Sequence, residues 1–199
     1  MRAWILAAAT ALLMGCQASG PPPRIYVLTP PVDPVPGVRP ETGRPVLELA
    51  KVSLPDYLDS SDILLRDGRN ELKPSTTGKW GERLSVGITH ALGATLTRRL
   101  PRVLVVQSAL SGQNARRLLV DVEAFDIRAD GRCVLTARWT VPKEDGPAST
   151  AISARATVIT QASGTAGAAG LADGAVVSAM EAALSQLGDH IAASLAKAF

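Results

Sequence analysis

The stretch Leu118-Leu119-Val120-Asp121-Val122-Glu123-Ala124-Phe125-Asp126-Ile127 and the two that follow it, Cys133-Val134-Leu135-Thr136-Ala137-Arg138-Trp139-Thr140-Val141 and Ile152-Ser153-Ala154-Arg155-Ala156-Thr157-Val158, decide the fold class. In the first, Val120, Val122 and Ala124 alternate with Asp121 and Glu123. In the second, Cys133, Leu135, Ala137, Trp139 and Val141 alternate with polar neighbours, and in the third Ile152, Ala154, Ala156 and Val158 do the same. A strand turns successive side chains to opposite faces, so each run has one apolar and one wet face. Three such runs in succession predict a half-solvated antiparallel meander rather than a parallel sheet buried on both sides.

The apolar face needs a cover, and two helical patterns supply it. Over residues 80–100, Leu84, Ile88, Leu92 and Leu96 recur every fourth position, and Arg98 and Arg99 precede Pro101, as a helix C-terminus requires. From Asp173 almost to Phe199, Val176, Met180, Leu184, Leu187, Ile191 and Leu195 form a second stripe. Asp67-Gly68-Arg69 between Ile63-Leu64-Leu65-Arg66 and Asn70-Glu71-Leu72-Lys73 is the chemistry of a tight hairpin. Further strands are predicted at 24–28, 46–54 and 103–107. The expectation is an α+β domain, a largely antiparallel sheet with two amphipathic helices packed on one face.

The chain has 199 residues, 46% hydrophobic and 20% charged, with a formal net charge of +3. That composition suits one self-sufficient domain and is too weakly basic to argue for nucleic acid. Arg98, Arg99, Arg102, Arg116 and Arg117 have no interleaved aromatic side chains on which bases could stack, so no nucleic-acid partner is expected. Nor does an enzyme emerge. The two histidines, His90 and His190, have no Ser or Asp at a triad spacing, and there is no HExxH, CxxC or GxSxG. Gly164, Gly167 and Gly170 before Gly174 lack the spacing and the following acid of a dinucleotide fingerprint, and read as a loop entering the last helix. Catalytic, cofactor-binding and metal-binding residues are all expected to be absent.

The N-terminus is an address. Arg2 is followed by the apolar run Trp4 to Met14, which as a helix would span about 16 Å at ~1.5 Å per residue, against about 30 Å of hydrocarbon. It ends in Leu13-Met14-Gly15-Cys16, which resembles the bacterial lipobox. Residues 1–15 are therefore read as a lipoprotein signal peptide and 16–23 as a lipidated N-terminus and short tether, with covalent diacylglycerol and N-acyl chains on Cys16. Residues 24–199 are read as a single domain. Gln17 in place of Asp matches, in the enterobacterial sorting pattern, an outer-membrane destination facing the periplasm. Nine of the fourteen prolines lie between Pro21 and Pro45, where they exclude helix. Cys133, left without an intrachain partner, is expected to be buried and unreactive.

Three pieces of sequence together resemble one family. They are Tyr26-Val27-Leu28 soon after the lipidated Cys16, Leu54-Pro55-Asp56-Tyr57-Leu58-Asp59 continuing to Ile63, and Trp80-Gly81-Glu82-Arg83-Leu84 opening the first helix. The set is similar to the PqiC-type intermembrane transport lipoproteins, also described as ABC-type transport auxiliary lipoproteins. The run from Ala179 to Ala192 is similar to that family's last helix, so the likeness covers nearly the whole mature chain. Departures are the Gly/Ala-rich residues 163–170 and Ser60-Ser61, where a basic residue is commoner.

The resemblance implies a non-enzymatic outer-membrane subunit of a lipid transport system, docking an MCE-domain tunnel protein anchored in the inner membrane. Pro55, Asp56, Tyr57 and Leu58 are the candidate contacts for that partner. Two readings of them stay open: a turn that packs Tyr57 against the sheet, or an exposed aromatic anchor for the partner. Trp80 is expected to pack. The alternative functional reading is a lipoprotein that itself carries a lipid in a cavity between sheet and helices, and an envelope hydrolase is third. The transported lipid, its direction and the oligomeric state, a homo-oligomer included, are left open.

Overall fold

The computed structural model describes residues 21–28, 43–108, 115–142, 151–163 and 171–196. The expected signal peptide, Cys16 and the glycines at 164, 167 and 170 lie outside them. The strands are β1 (Arg24–Tyr26), β2 (Val46–Leu49), β3 (Asp62–Asp67), β4 (Glu71–Trp80), β5 (Leu104–Val106), β6 (Ala115–Arg128), β7 (Arg132–Val141) and β8 (Ile152–Gln161), and the helices α1 (Leu84–Arg99) and α2 (Asp173–Leu195). The class is α+β, as expected.

The predicted meander is present. β6 pairs antiparallel with β7, Val120 opposite Trp139, and β7 with β8, Leu135 opposite Val158. Alternation in β6 is broken, however, by a bulge between Val122 and Ala124. An extra residue shifts the face of everything beyond it, so Phe125 and Ile127 enter the core in place of the expected Ala124.

Along its other edge β6 carries two strands in turn, both parallel: β2 at its start, with Val46 beside Ala115, and β3 at its end, with Leu65 beside Ile127. Ser53 bridges to Asp121 between them. β5 lies parallel on β2, β1 lies parallel on β4, and β3–β4 is an antiparallel hairpin. The sheet is therefore mixed rather than largely antiparallel. The antiparallel pairs, β3–β4, β6–β7 and β7–β8, join strands consecutive in the chain, while pairs of non-consecutive strands are parallel.

Both helices cover one face. Leu84, Ile88, Leu92 and Leu96 of α1, and Val176, Met180, Leu184, Leu187, Ile191 and Leu195 of α2, are all buried against Leu118, Val120, Phe125, Leu135, Trp139 and their neighbours in a single core. α1 starts at Leu84 rather than at 80. Trp80 instead ends β4, buried, its N–H donating to Ser61 O at 2.8 Å. α1 is also buried on more than its stripe, since Ser85, Gly87, Thr89, Gly93 and Thr95 are covered too. No helix of the described residues is long and apolar enough to cross a membrane.

Cys133 is 0% exposed on the core side of β7. Burial pushes its thiol up to about 11, so almost none is thiolate at neutral pH. A maleimide at pH 8 should modify it only at the rate of unfolding, and rapidly once urea is added. Fast stoichiometric labelling of the native chain, followed by intact mass, would contradict the strand's facing.

Candidate docking site

The three sequence motifs quoted above meet at one corner of the sheet. Gly81 N–H donates to Tyr26 O at 2.7 Å, tying the end of β4 to β1. Leu28 is buried against α1, where a Cβ on Gly87 would meet its side chain at 3.5 Å. The loop between Ser53 and Asp62 then reaches the start of α1. Arg83, at the helix N-cap position, offers no side-chain cap, and the first turn has no acidic residue. Asp59 supplies what is missing: its Oδ1 accepts the Ser85 amide at 3.0 Å and its Oδ2 takes Arg83 Nε at 3.1 Å, while Arg83 Nη2 donates to Asp59 O at 3.2 Å. An orphan helix N–H is thus satisfied by a residue twenty-six positions away.

Burial works against ionisation of Asp59, but the Ser85 amide and the Arg83 guanidinium more than offset it and hold its pKa below the usual carboxylate range. A depressed folded-state pKa contributes stability that is complete above the unfolded value of about 3.9 and is lost as pH falls through the folded one. Asp59→Ala should cost about 1 kcal/mol in urea unfolding at pH 7. The gap to wild type should narrow once the pH is well below 4. A constant gap across that range would mean the cap does not work through the carboxylate.

Just before Asp59 the same loop places Tyr57 beside Arg66 and Asp126 on the helix-free face of the sheet. A turn closes it, with Leu58 N–H on Pro55 O at 2.9 Å. The four candidate residues separate here: Leu58 is buried in the core, Pro55 is half-buried, and Asp56 and Tyr57 are exposed. Tyr57, 41% exposed, sits beside the ion pair of Arg66 Nη2 and Asp126 Oδ1, 2.8 Å apart, whose side chains are only 20% and 15% exposed. Partial burial and the nearby Asp126 carboxylate raise the Tyr57 phenol above its ordinary value, so it stays neutral. The packing and exposure readings of Tyr57 are therefore both realised: one side covers the ion pair and the other faces solvent.

Sequence reasoning did not find Arg66 and Asp126. They lie sixty residues apart, and only the parallel register of β3 on β6 joins them. The rest of the helix-free face is polar at its centre and apolar at its margins. Glu123 holds Arg155 Nε at 2.9 Å and Arg138 Nη2 at 3.2 Å, and Thr136 meets Thr157 at 3.1 Å. Ile25, Val27, Leu119 and Ile159 are exposed around this centre. Strand alternation puts all four on the face that carries Tyr57, since Tyr26, Leu118, Val120 and Val158 turn the other way. Elsewhere, Arg99 is paired with Asp189 and Arg117 with Glu48 at 3.7 Å, and His90 and His190 are both exposed.

Comparison with known proteins bears on the whole of this surface. The family model described as ABC-type transport auxiliary lipoprotein component matches residues 26–192. A crystal structure of an uncharacterized protein superposes with a TM-score of 0.72 at 18% identity, covering 88% of this chain and 99% of that one. A Xanthomonas campestris protein assigned to the family model DUF330 superposes with a TM-score of 0.63 at 21% identity, covering 84% and 91%. At those identities the likeness concerns the fold. No curated protein matches the chain. The match from Tyr26 to Ala192 takes in the corner, the loop, both helices and every strand from β2 to β8, and the chain belongs to the family of ABC-type transport auxiliary lipoprotein components, a transport family rather than an enzyme family.

Proposed function

We propose that this chain is the lipid-anchored docking subunit of an intermembrane lipid transport system, held at the periplasmic face of the outer membrane through an acylated Cys16 and receiving the distal end of an MCE-domain tunnel protein. The observation that carries the proposal is Tyr57, a half-exposed aromatic side chain beside a partly buried Arg66–Asp126 pair on the face of the sheet that no helix covers. Rigid aromatics with a polar tip at the centre of a mixed surface are the common anchors of protein interfaces. The short tether supports the same reading. Residues 17–23 extend at most about 25 Å at ~3.6 Å each, so the domain cannot cross the periplasm and its partner must come to it.

The carrier reading has less support. Between sheet and helices the space is filled by Phe125, Leu135, Leu92, Leu184 and Leu187, all nearly inaccessible, and the described clefts open on the outside of the domain. Co-purification from mild detergent extracts, wild type against Tyr57→Ala, tests the docking reading. The wild type should retain an MCE-domain protein. The variant should weaken retention by the thirtyfold that a loss of about 2 kcal/mol at an interface anchor implies. A wild-type domain free of any MCE-domain protein would remove the model, and undiminished binding by the variant would remove Tyr57 from it.

A further inference from the structure

The β3–β4 hairpin and the β6–β7 turn end side by side, because β3 runs parallel to β6 with Arg66 next to Arg128. Each tip turns through a glycine in left-handed backbone, Gly68 at φ +68° and Gly131 at φ +84°. Between them is an open cleft of about 580 Å³ lined by Arg66, Arg69, Arg128, Asp130 and Arg132. Arg66 is held by Asp126, and Arg132 by Asp130 at 2.7 Å. Arg69 and Arg128 form no ion pair among the described residues. The hairpin's own acids do not neutralise the cleft: Asp67 and Glu71 are paired with Lys73, and alternation from Leu65 places these three on the opposite face from Arg66. Four guanidinium groups thus face two carboxylates.

The path of the tether gives this basic end its direction. β1 lies parallel to β4 with Arg24 beside Gly78, and Pro21 and Pro22 line a cleft with Thr76 and Thr77. Traced backwards from Arg24 to Pro21, the described chain therefore heads along β4 in the direction of Glu71 and the hairpin tip. Five residue steps from Pro21 to Cys16 reach at most about 18 Å at ~3.6 Å each, and the five from Thr76 to Glu71 span about 17 Å at ~3.4 Å each. An anchor at Cys16 is therefore held within that reach of Pro21, and the hairpin end of β4 lies within the same distance of Thr76. At the far end of the sheet Arg117 pairs with Glu48 and Arg99 with Asp189, while Arg102 is exposed and forms no ion pair among the described residues.

We infer that the tips of the β3–β4 hairpin and the β6–β7 turn are the membrane-facing end of the domain, where Arg66, Arg69, Arg128 and Arg132 bind the phosphates of lipid headgroups around the anchor. The inference rests on acylation of Cys16. Guanidinium forks match phosphate oxygens, and basic groups next to an anionic bilayer surface are held to it until salt screens them. The strands then stand upright on the membrane, with the helix-free face turned sideways toward a partner.

The test uses the acylated chain reconstituted in phosphatidylcholine vesicles with or without phosphatidylglycerol. A fluorophore is placed on Asn70→Cys at the tip or Arg102→Cys at the far end, Cys133 being buried, and is quenched by a nitroxide on the lipid headgroup. Quenching should be severalfold stronger at 70 than at 102, should rise with phosphatidylglycerol and should fall with salt. Arg69→Glu with Arg128→Glu, two exposed side chains, should abolish the lipid and salt dependence. Equal or stronger quenching at 102, or no effect of the double reversal in an anchored chain, overturns the orientation alone. Inorganic phosphate abolishing contact at matched ionic strength would make the cleft a soluble-anion site and overturn it as well. A chain whose intact mass shows no acyl groups removes the anchor reading and this inference with it.

Discussion

Cys16→Ser should release the protein from the membrane fraction, with at least a tenfold shift toward the soluble one. The expectation follows from the acyl chains proposed on Cys16. The apolar run Trp4 to Met14 is about half the length a spanning helix needs, and no helix of the described residues can cross a bilayer. One acyl chain gives only marginal, reversible binding, whereas two or more together are stable, so an acylated Cys16 would by itself supply a stable anchor. The tip arginines would add attraction only where the surface is anionic, and salt would remove it. Fractionation at high salt is therefore the discriminating condition. Intact mass of the wild-type chain should correspond to a start at Cys16 plus acyl groups. An N-terminus elsewhere, or a serine variant that stays with the membrane in high salt, would defeat the assignment.

Trp139→Ala should be the most destabilising single change in the meander. The indole is buried on the core side of β7, and its Nε1–H donates to Ser194 Oγ at 2.9 Å, joining the central strand to the last turns of α2. Truncation removes the largest side chain in that layer and leaves a cavity that the surrounding strands cannot fill. Such changes cost about 3–5 kcal/mol, a large share of the roughly 5–15 kcal/mol that holds a domain folded. The midpoint of urea unfolding should fall accordingly with little change in slope. Trp139→Phe keeps most of the volume and loses the hydrogen bond, and should lie much closer to wild type. If the two variants are equally damaging, the Ser194 contact rather than packing dominates.

What could be read from the sequence was what repeats locally. The helix stripes from Leu84 and from Val176, the three alternating runs and the Gly68 hairpin all depend on a period within one element, and period follows from backbone geometry. The bulge after Val122 was not legible, because a strand with one extra residue still alternates on each side of it. Nor was the parallel placement of β2 and β3 on β6, since nothing in either strand encodes which distant edge it will join. The site divides the same way. Tyr57 and Asp59 stood out in a motif, but the partners that give them meaning, Arg66 with Asp126 and Arg83 with the Ser85 amide, are supplied by register and by the corner where loop and helix meet. Trp80 packs as expected but not as the opening of the helix: it ends β4 instead.

The double use of one edge of β6 has a consequence for how the molecule is made. β7 and β8 follow β6 closely, and their pairing closes short loops at low entropic cost. β2 and β3 must wait for a β6 edge that begins at Ala115, more than forty residues after β3 ends at Asp67, although β3 can already pair with β4 and β4 with β1. Contacts of such long range make folding slow. A chain emerging from its amino end thus presents β2 and the free edge of the β3–β4 hairpin before the strand that organises them exists. The time spent in that state, rather than the stability finally reached, is where a holding chaperone would matter most for this protein.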